Sequence, residues 1–164
     1  GYPSRFVIVP TRGAATTLKH LGSVYAALGE KAKALDYFEQ ALPLYRQVGD
    51  KGEEATTLNN IGQIYDARGD YAAALAYLER SLTIRQEIGD AAGLCRTLFN
   101  MAHIFWRNEQ QAEAVNAWVT AYRLAQRMNL AQVLQALAKL ADGLGLPGGL
   151  AGWEALSRQM GGEG

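Results

Sequence analysis

Residues 15–54 and 55–94 align without a gap and are identical at 16 of 40 positions. Self-similarity of that strength at a fixed period confines the chain to a repeat architecture, in which each unit is one supersecondary element stacked on the next. Residues 95–134 keep the same spacing more loosely, and a degraded fourth unit begins at Gln135. This divides the chain into a leader over 1–14, repeats at 15–54, 55–94 and 95–134, and a degenerate capping repeat with a frayed tail over 135–164.

Within each unit the apolar residues recur at helical spacing. Leu18, Leu21 and Tyr25 correspond to Leu58, Ile61 and Tyr65 and to Leu98, Met101 and Phe105, one face of a first helix in each case. The pattern stops at Gly29, Gly69 and the equivalent Glu109, and glycine can end a helix in a left-handed conformation. A second stripe follows, Ala34, Leu35, Phe38, Ala41 and Leu42 in unit one and Ala74, Leu75, Leu78 and Leu82 in unit two, and it closes at Gly49-Asp50 and Gly89-Asp90. Each unit therefore reads as an antiparallel helical hairpin. Gly22, Gly62 and Ala102 on the first helix, and Ala34, Ala74 and Ala114 on the second, mark where two backbones approach most closely. Pro43 lies inside the second helix of unit one and predicts a kink there, not a break. Trp153, Leu156 and Met160 form a short i, i+3, i+7 stripe beyond the glycines of 143–149, which reads as a capping helix.

Composition narrows the chemistry. Of 164 residues, 49% are hydrophobic and 20% charged, and sixteen Lys and Arg balance sixteen Asp and Glu. That balance leaves no overall field to draw in nucleic acid or an anionic membrane. Cys95 is the only cysteine, and it stands on a different turn or unit from His20 and His103, so neither a disulfide nor a metal site is expected. A cytoplasmic setting fits. The glycines of 143–149 lack the Lys-Ser/Thr of a phosphate loop, and no nucleophile, base and orienting acid assemble. No cofactor and no enzyme activity are expected.

The row Leu21-Gly22, Tyr25, Gly29, Ala34, Phe38, Ala41, with its copy Ile61-Gly62, Tyr65, Gly69, Ala74, Leu78, Ser81, resembles the signature of tetratricopeptide repeats over residues 15 to 134. Its period of 40, against the usual 34 of that family, and its Gly-Asp junctions are similar to the longer-helix subgroup of kinesin light chains, Inscuteable-binding polarity adaptors and bacterial regulators. The resemblance implies an all-α, right-handed superhelical solenoid whose first helices line an inner groove that binds extended peptides. It also implies that Asn60 and Asn100, each just before the Leu-Gly position, hydrogen-bond the backbone of a ligand. Arg96, four residues before Asn100, matches an arginine that the polarity adaptors use to hold acidic ligand side chains. His20 and Leu140 replace the asparagine in units one and four, which centres the expected site on units two and three.

With the first helices as inner wall, the groove face carries Thr16, Lys19, His20 and Ser23, then Thr56, Asn59, Asn60, Gln63 and Asp66, then Arg96, Phe99, Asn100, His103, Trp106 and Arg107. This face is rich in hydrogen-bond donors, where a merely solvated face carries Glu and Lys, the better helix formers. Asn100, His103 and Arg107 share one face, with Arg96 a turn earlier, an arrangement suited to a carboxylate. The plainer reading has Trp106 packed on unit four and Arg107 paired in solvent with Glu109 or Glu113. Lys19, His20, Arg96, Arg107 and Lys139 point to a partner protein or peptide of acidic character.

Residues 2–13 break the pattern, because Phe6 to Val9 form a β-prone apolar run between Pro3 and Pro10. They read as a linker or the remnant of an upstream domain, or as a ligand mimic through which residues 2–10 self-associate. The leading functional reading is a protein-interaction module that binds an extended peptide in its groove. The alternatives are a structural or self-assembly module and the regulatory array of a larger multidomain bacterial protein.

Overall fold

A computed structural model describes residues 11–161. Among these residues the chain forms eight helices and no strand: α1 (Arg12–Ala27), α2 (Lys31–Val48), α3 (Lys51–Ala67), α4 (Tyr71–Glu87), α5 (Ala91–Arg107), α6 (Gln111–Met128), α7 (Ala131–Leu144) and α8 (Leu150–Met160). They pair as four antiparallel hairpins stacked in chain order, the all-α solenoid expected from the repeat. Residues 12–14, grouped above with the leader, make the first turn of α1. Thr11 caps that turn, its Oγ1 accepting from the Ala14 N–H at 3.0 Å. The readings made for residues 2–10 lie outside the described residues.

The junctions follow from two residue types. Gly49 and Gly69 end their helices at φ of +73° and +79°, a conformation that costs glycine little. The next residue, Asp50 or Asp70, turns its carboxylate on the following helix and accepts from the N–H of Glu53 or Ala73 at 3.1 and 3.2 Å. Asp90 does the same for Gly93 at 2.9 Å. Its carboxyl is held below the usual carboxylate range by that N–H first and by the neighbouring Arg85 guanidinium second. Helix α2 runs unbroken through Pro43.

Packing repeats along with the sequence. In hairpin one the Gly22 backbone lies so close to Phe38 that a Cβ at position 22 would stand 2.7 Å from the ring. In hairpin two a Cβ at Gly62 would meet Leu78 at 3.0 Å and the Ala74 carbonyl at 3.2 Å. Buried polar contacts tie the partners of a hairpin together, with Ser81 Oγ donating to the Ala55 carbonyl at 2.9 Å and Cys95 Sγ to that of Ala121 at 3.2 Å. Between hairpins, the second helix of one unit receives the first helix of the next. Leu35, Phe38 and Leu42 pack with Leu58, Ile61 and Ile64, and Leu75 and Leu78 with Met101 and Ile104. The fourth hairpin is tied to the third through α8. Trp153 of α8 is fully buried and donates its indole N–H to the Leu137 carbonyl at 2.7 Å. Tyr122 donates to Glu154 at 2.6 Å, and Arg123 holds Ser157 through its hydroxyl and its carbonyl.

Candidate functional site

The side chains that can meet a ligand follow from that stacking, because a furrow opens wherever two successive first helices lie side by side over a second helix. At the junction of hairpins one and two a pocket of about 300 Å³ is lined by Ser23, Ala26, Phe38, Asn60, Gln63, Ile64 and Ala67. At the next junction a pocket of about 350 Å³ is lined by Gln63, Asp66, Leu78, Asn100, His103, Ile104 and Arg107. Lys31 also lines the first pocket and Phe99 the second, without counterparts; every other residue of the second set stands 40 positions after one of the first, so the two are one site repeated. Each places one asparagine, Asn60 or Asn100, over an apolar floor of Phe38 or Leu78. Gln63 borders both and joins them.

The two copies differ in chemistry. The first holds small neutral side chains at its rim, with Lys31 reaching the Ala67 carbonyl at 3.4 Å. In the second, Asp66 and Arg107 occupy the positions of Ala26 and Ala67 and form an ion pair, Nη2 to Oδ2, of 2.6 Å. His103 donates from Nδ1 to the Phe99 carbonyl at 2.9 Å, which fixes the orientation of its ring. That ring is held between Phe99, with centroids 4.6 Å apart, and the edge of Trp118 at 5.2 Å.

Not every residue singled out in the sequence comes to this place. Asn60, Gln63, Phe99, Asn100, His103 and Arg107 line the two pockets, and Trp106 borders a third, apolar one further along. Lys19 sits half-buried in an ion pair with Glu53. His20 and Arg96 are exposed and line neither pocket, and Asn59 is half-buried, its side-chain oxygen without a hydrogen-bond partner among the described residues. Two expectations are corrected. Arg107 pairs neither with Glu109 nor with Glu113, because Asp66 on the neighbouring first helix faces it. The cationic face is also weaker than its count of charges, since Lys19 and Arg107 are both matched by carboxylates. Lys31, Phe38 and Leu78 were missed because they belong to second helices, although shifting Phe38 by 40 positions lands on Leu78.

Among the described residues no group of three or more His, Cys, Asp or Glu could hold a metal ion, and no helix is long and apolar enough to cross a membrane. Cys95 is buried against a backbone carbonyl, and burial pushes its thiol above the ordinary range, away from the thiolate that reacts.

Stacked hairpins with a repeated amide-bearing furrow define a helical-repeat scaffold. Comparison with known proteins places it further. Two tetratricopeptide repeat family profiles match residues 14–48 and 53–127, together more than half of the chain, and the chain belongs to the tetratricopeptide repeat family, whose arrays are protein-interaction scaffolds. No curated protein sequence matches significantly. Among solved structures, BtubC (BKLC) from P. vanneervenii is similar at a TM-score of 0.69 and 19% identity, over 86% of this chain and 59% of that one. A putative kinesin light chain from Podosopora anserina with nearly identical repeats is similar at 0.70 and 15%, over 94% of this chain and 77% of that one. The Rap conjugation gene regulator of the plasmid pLS20, solved in complex with a Phr peptide, is similar at 0.70 and 16%, over 93% and 43%. The chain thus spans less than two thirds of the length of BtubC and of the Rap regulator.

Proposed function

We propose that this chain binds an extended segment of a partner protein across the junctions of hairpins one to three, with Asn60 and Asn100 bonding the segment's backbone. The observation that carries the reading is the duplication of the pocket at a 40-residue offset with an asparagine in both copies. A backbone repeats its donors and acceptors regularly, so equivalent amides along a furrow suit an extended chain better than a compact ligand. An amide side chain offers both a donor and an acceptor, which matches a peptide unit. The Rap regulator, an array of the same fold, is seen with a peptide bound, which supports the same use here. A cytoplasmic setting belongs to this reading, supported by a single, buried, unpaired cysteine.

Asp66 is the built-in competitor for Arg107. A ligand carboxylate at Arg107 must displace it or share the guanidinium, so the partner's acidic character rests mainly on Arg96 and is modest. The test is selection of a random dodecapeptide display library on the folded chain, followed by anisotropy measurements on the enriched peptides. Asn60→Ala and Asn100→Ala should each weaken binding roughly three- to tenfold, the worth of one hydrogen bond, with an unchanged melting curve. Peptides that bind both variants as tightly as the parent would overturn the reading.

One observation favours a second reading, self-assembly. Leu21 and Val24 on α1, with Leu28 just past its end, leave an exposed apolar stripe. Light scattering on the chain and on a Leu21→Ser, Val24→Ser variant separates the two readings, since an assembly module falls to monomers in the variant and a peptide clamp does not change.

A further inference from the structure

The pocket that occurs twice as a polar site has a third member in altered form at the junction of hairpins three and four. A cavity of about 420 Å³ there is lined by Trp106, Val115, Gly143, Leu144, Leu146, Trp153 and Leu156. Trp106 stands where Asp66 and Ala26 stand in the other two, Gly143 where His103 and Gln63 stand, and Leu144 where Ile104 and Ile64 stand. The asparagine position falls on Leu140. At the position of Ala26, Asp66 and Trp106 the lining passes from small, through charged, to large and aromatic. We propose that this third pocket takes one large apolar side chain, aromatic or leucine-like, of the segment that lies over Asn60 and Asn100. The inference rests on the peptide-binding reading and assigns the ligand an order, polar towards α1 and apolar towards α8.

Several features of the chain make this cavity a receptor for a side chain. Helix α7 has 14 residues where the other first helices have 16 or 17, and it stops at Gly145 in the left-handed region, φ +72°. Gly143 supplies no side chain where the first two pockets have a glutamine and a histidine, and a Cβ built on it meets nothing within 4 Å. Trp106 is fixed on one side by Trp118, centroids 5.6 Å apart, yet remains 38% exposed. An indole anchored on one edge and open on the other offers contact area with little left to order, the profile of a binding hot spot. Loss of the asparagine at Leu140 fits the same role, because a pocket that recognises an apolar side chain draws on burial and not on a backbone hydrogen bond. Continuity fixes the occupant. Trp106 of the cavity and Asn100, His103 and Arg107 of the second pocket stand on one helix, α5, so a chain held by Asn100 is the nearest source of such a side chain.

Two variants test it with peptides enriched from the random dodecapeptide display library on the unmodified chain. Gly143→Leu fills the cavity from a helical position with open space around it, so the fold should survive. Trp106→Ala removes the open wall. The expected result is an enriched set that shares one large apolar residue on a fixed side of its polar positions, with each variant weakening these peptides about tenfold. Changing that apolar residue to serine should cost the parent a similar factor and Gly143→Leu almost nothing further, which links residue to pocket. Peptides that respond to Asn100→Ala but not to Gly143→Leu or Trp106→Ala overturn this inference and leave the groove reading standing. An absence of peptides sensitive to Asn60→Ala or Asn100→Ala removes the groove reading, and this inference with it.

Discussion

Hairpin one and hairpin two have nearly the same sequence on their first helices and different fates for the same side chains. Ile61 and Ile64 are 0% and 6% exposed, whereas Leu21 and Val24, their counterparts 40 positions earlier, are 38% and 55% exposed. The side chains are equally apolar; the neighbour differs. Ile61 and Ile64 are covered by Leu35, Phe38 and Leu42 of the preceding hairpin, and no described residue covers α1 in that way. A unit of this solenoid thus carries only half of its core, and burial along the stack is supplied by the hairpin before it. The other end obeys the same rule by a different device. There the short helix α8 folds back and brings Trp153 into the core shared by α6 and α7, so the apolar face of α7 is covered by the helix that follows it.

The largest effect that sharpens this contrast is a cavity placed on either side of it. Ile104→Ala should cost about 2–5 kcal/mol, because the side chain is buried against Leu75 and Leu78 in a junction that relaxes only partly. Val24→Ala should change stability by about 0.5 kcal/mol or less, as for an exposed apolar residue. Urea denaturation followed by circular dichroism reads both. Equal costs at the two positions would mean that α1 is covered in solution, and the comparison would fail.

A smaller effect concerns the joints. Asp90→Ala should cost about 1 kcal/mol at neutral pH, through loss of the cap on α5. The folded-state carboxyl of Asp90 is depressed below its unfolded value, so its stabilisation is fully present above the unfolded value of about 4. It is lost as pH falls from there through the folded value. The stability gap between parent and variant should therefore close only in acid, and a gap that closed near neutrality would contradict the assignment of the shift to the Gly93 N–H and Arg85.

These contrasts also mark what the sequence can reveal. The hairpins were legible because Leu58, Ile61 and Tyr65 repeat Leu18, Leu21 and Tyr25 at one spacing, and the joints because Gly-Asp recurs. The close approach at Gly22 and Gly62 was legible because only a small residue allows it. Which apolar face ends up covered was not legible, since Leu21 and Ile61 differ in nothing local. The ion pairs Arg107–Asp66 and Lys19–Glu53 were also hidden, because each joins residues of different hairpins, and the sequence had offered Arg107 only Glu109 and Glu113, its near neighbours in the chain. Asn60, Asn100, Gln63 and His103 were found because they stand on first helices. The apolar third pocket was not found, since it depends on α7 stopping early and α8 packing back.

The smallest prediction tests the joint inside hairpin three against those inside hairpins one and two. Gly29 and Gly69 turn the chain between their two helices at φ +79°, while the same place in hairpin three is Glu109, held at φ +60°. A side chain in that region costs about 1–2 kcal/mol relative to the right-handed one, and a glycine gives back about 0.5–1 kcal/mol through the freedom it gains when unfolded. The difference favours glycine, so Glu109→Gly should stabilise the chain by about 0.5 kcal/mol and Gly69→Ala should destabilise it by about 1 kcal/mol. Thermal melts of both variants read the pair. If Glu109→Gly instead loses stability, the carboxylate at this turn has a role that its backbone strain conceals, and its place beside Trp106 at the end of α5 makes peptide binding the next property to measure in that variant.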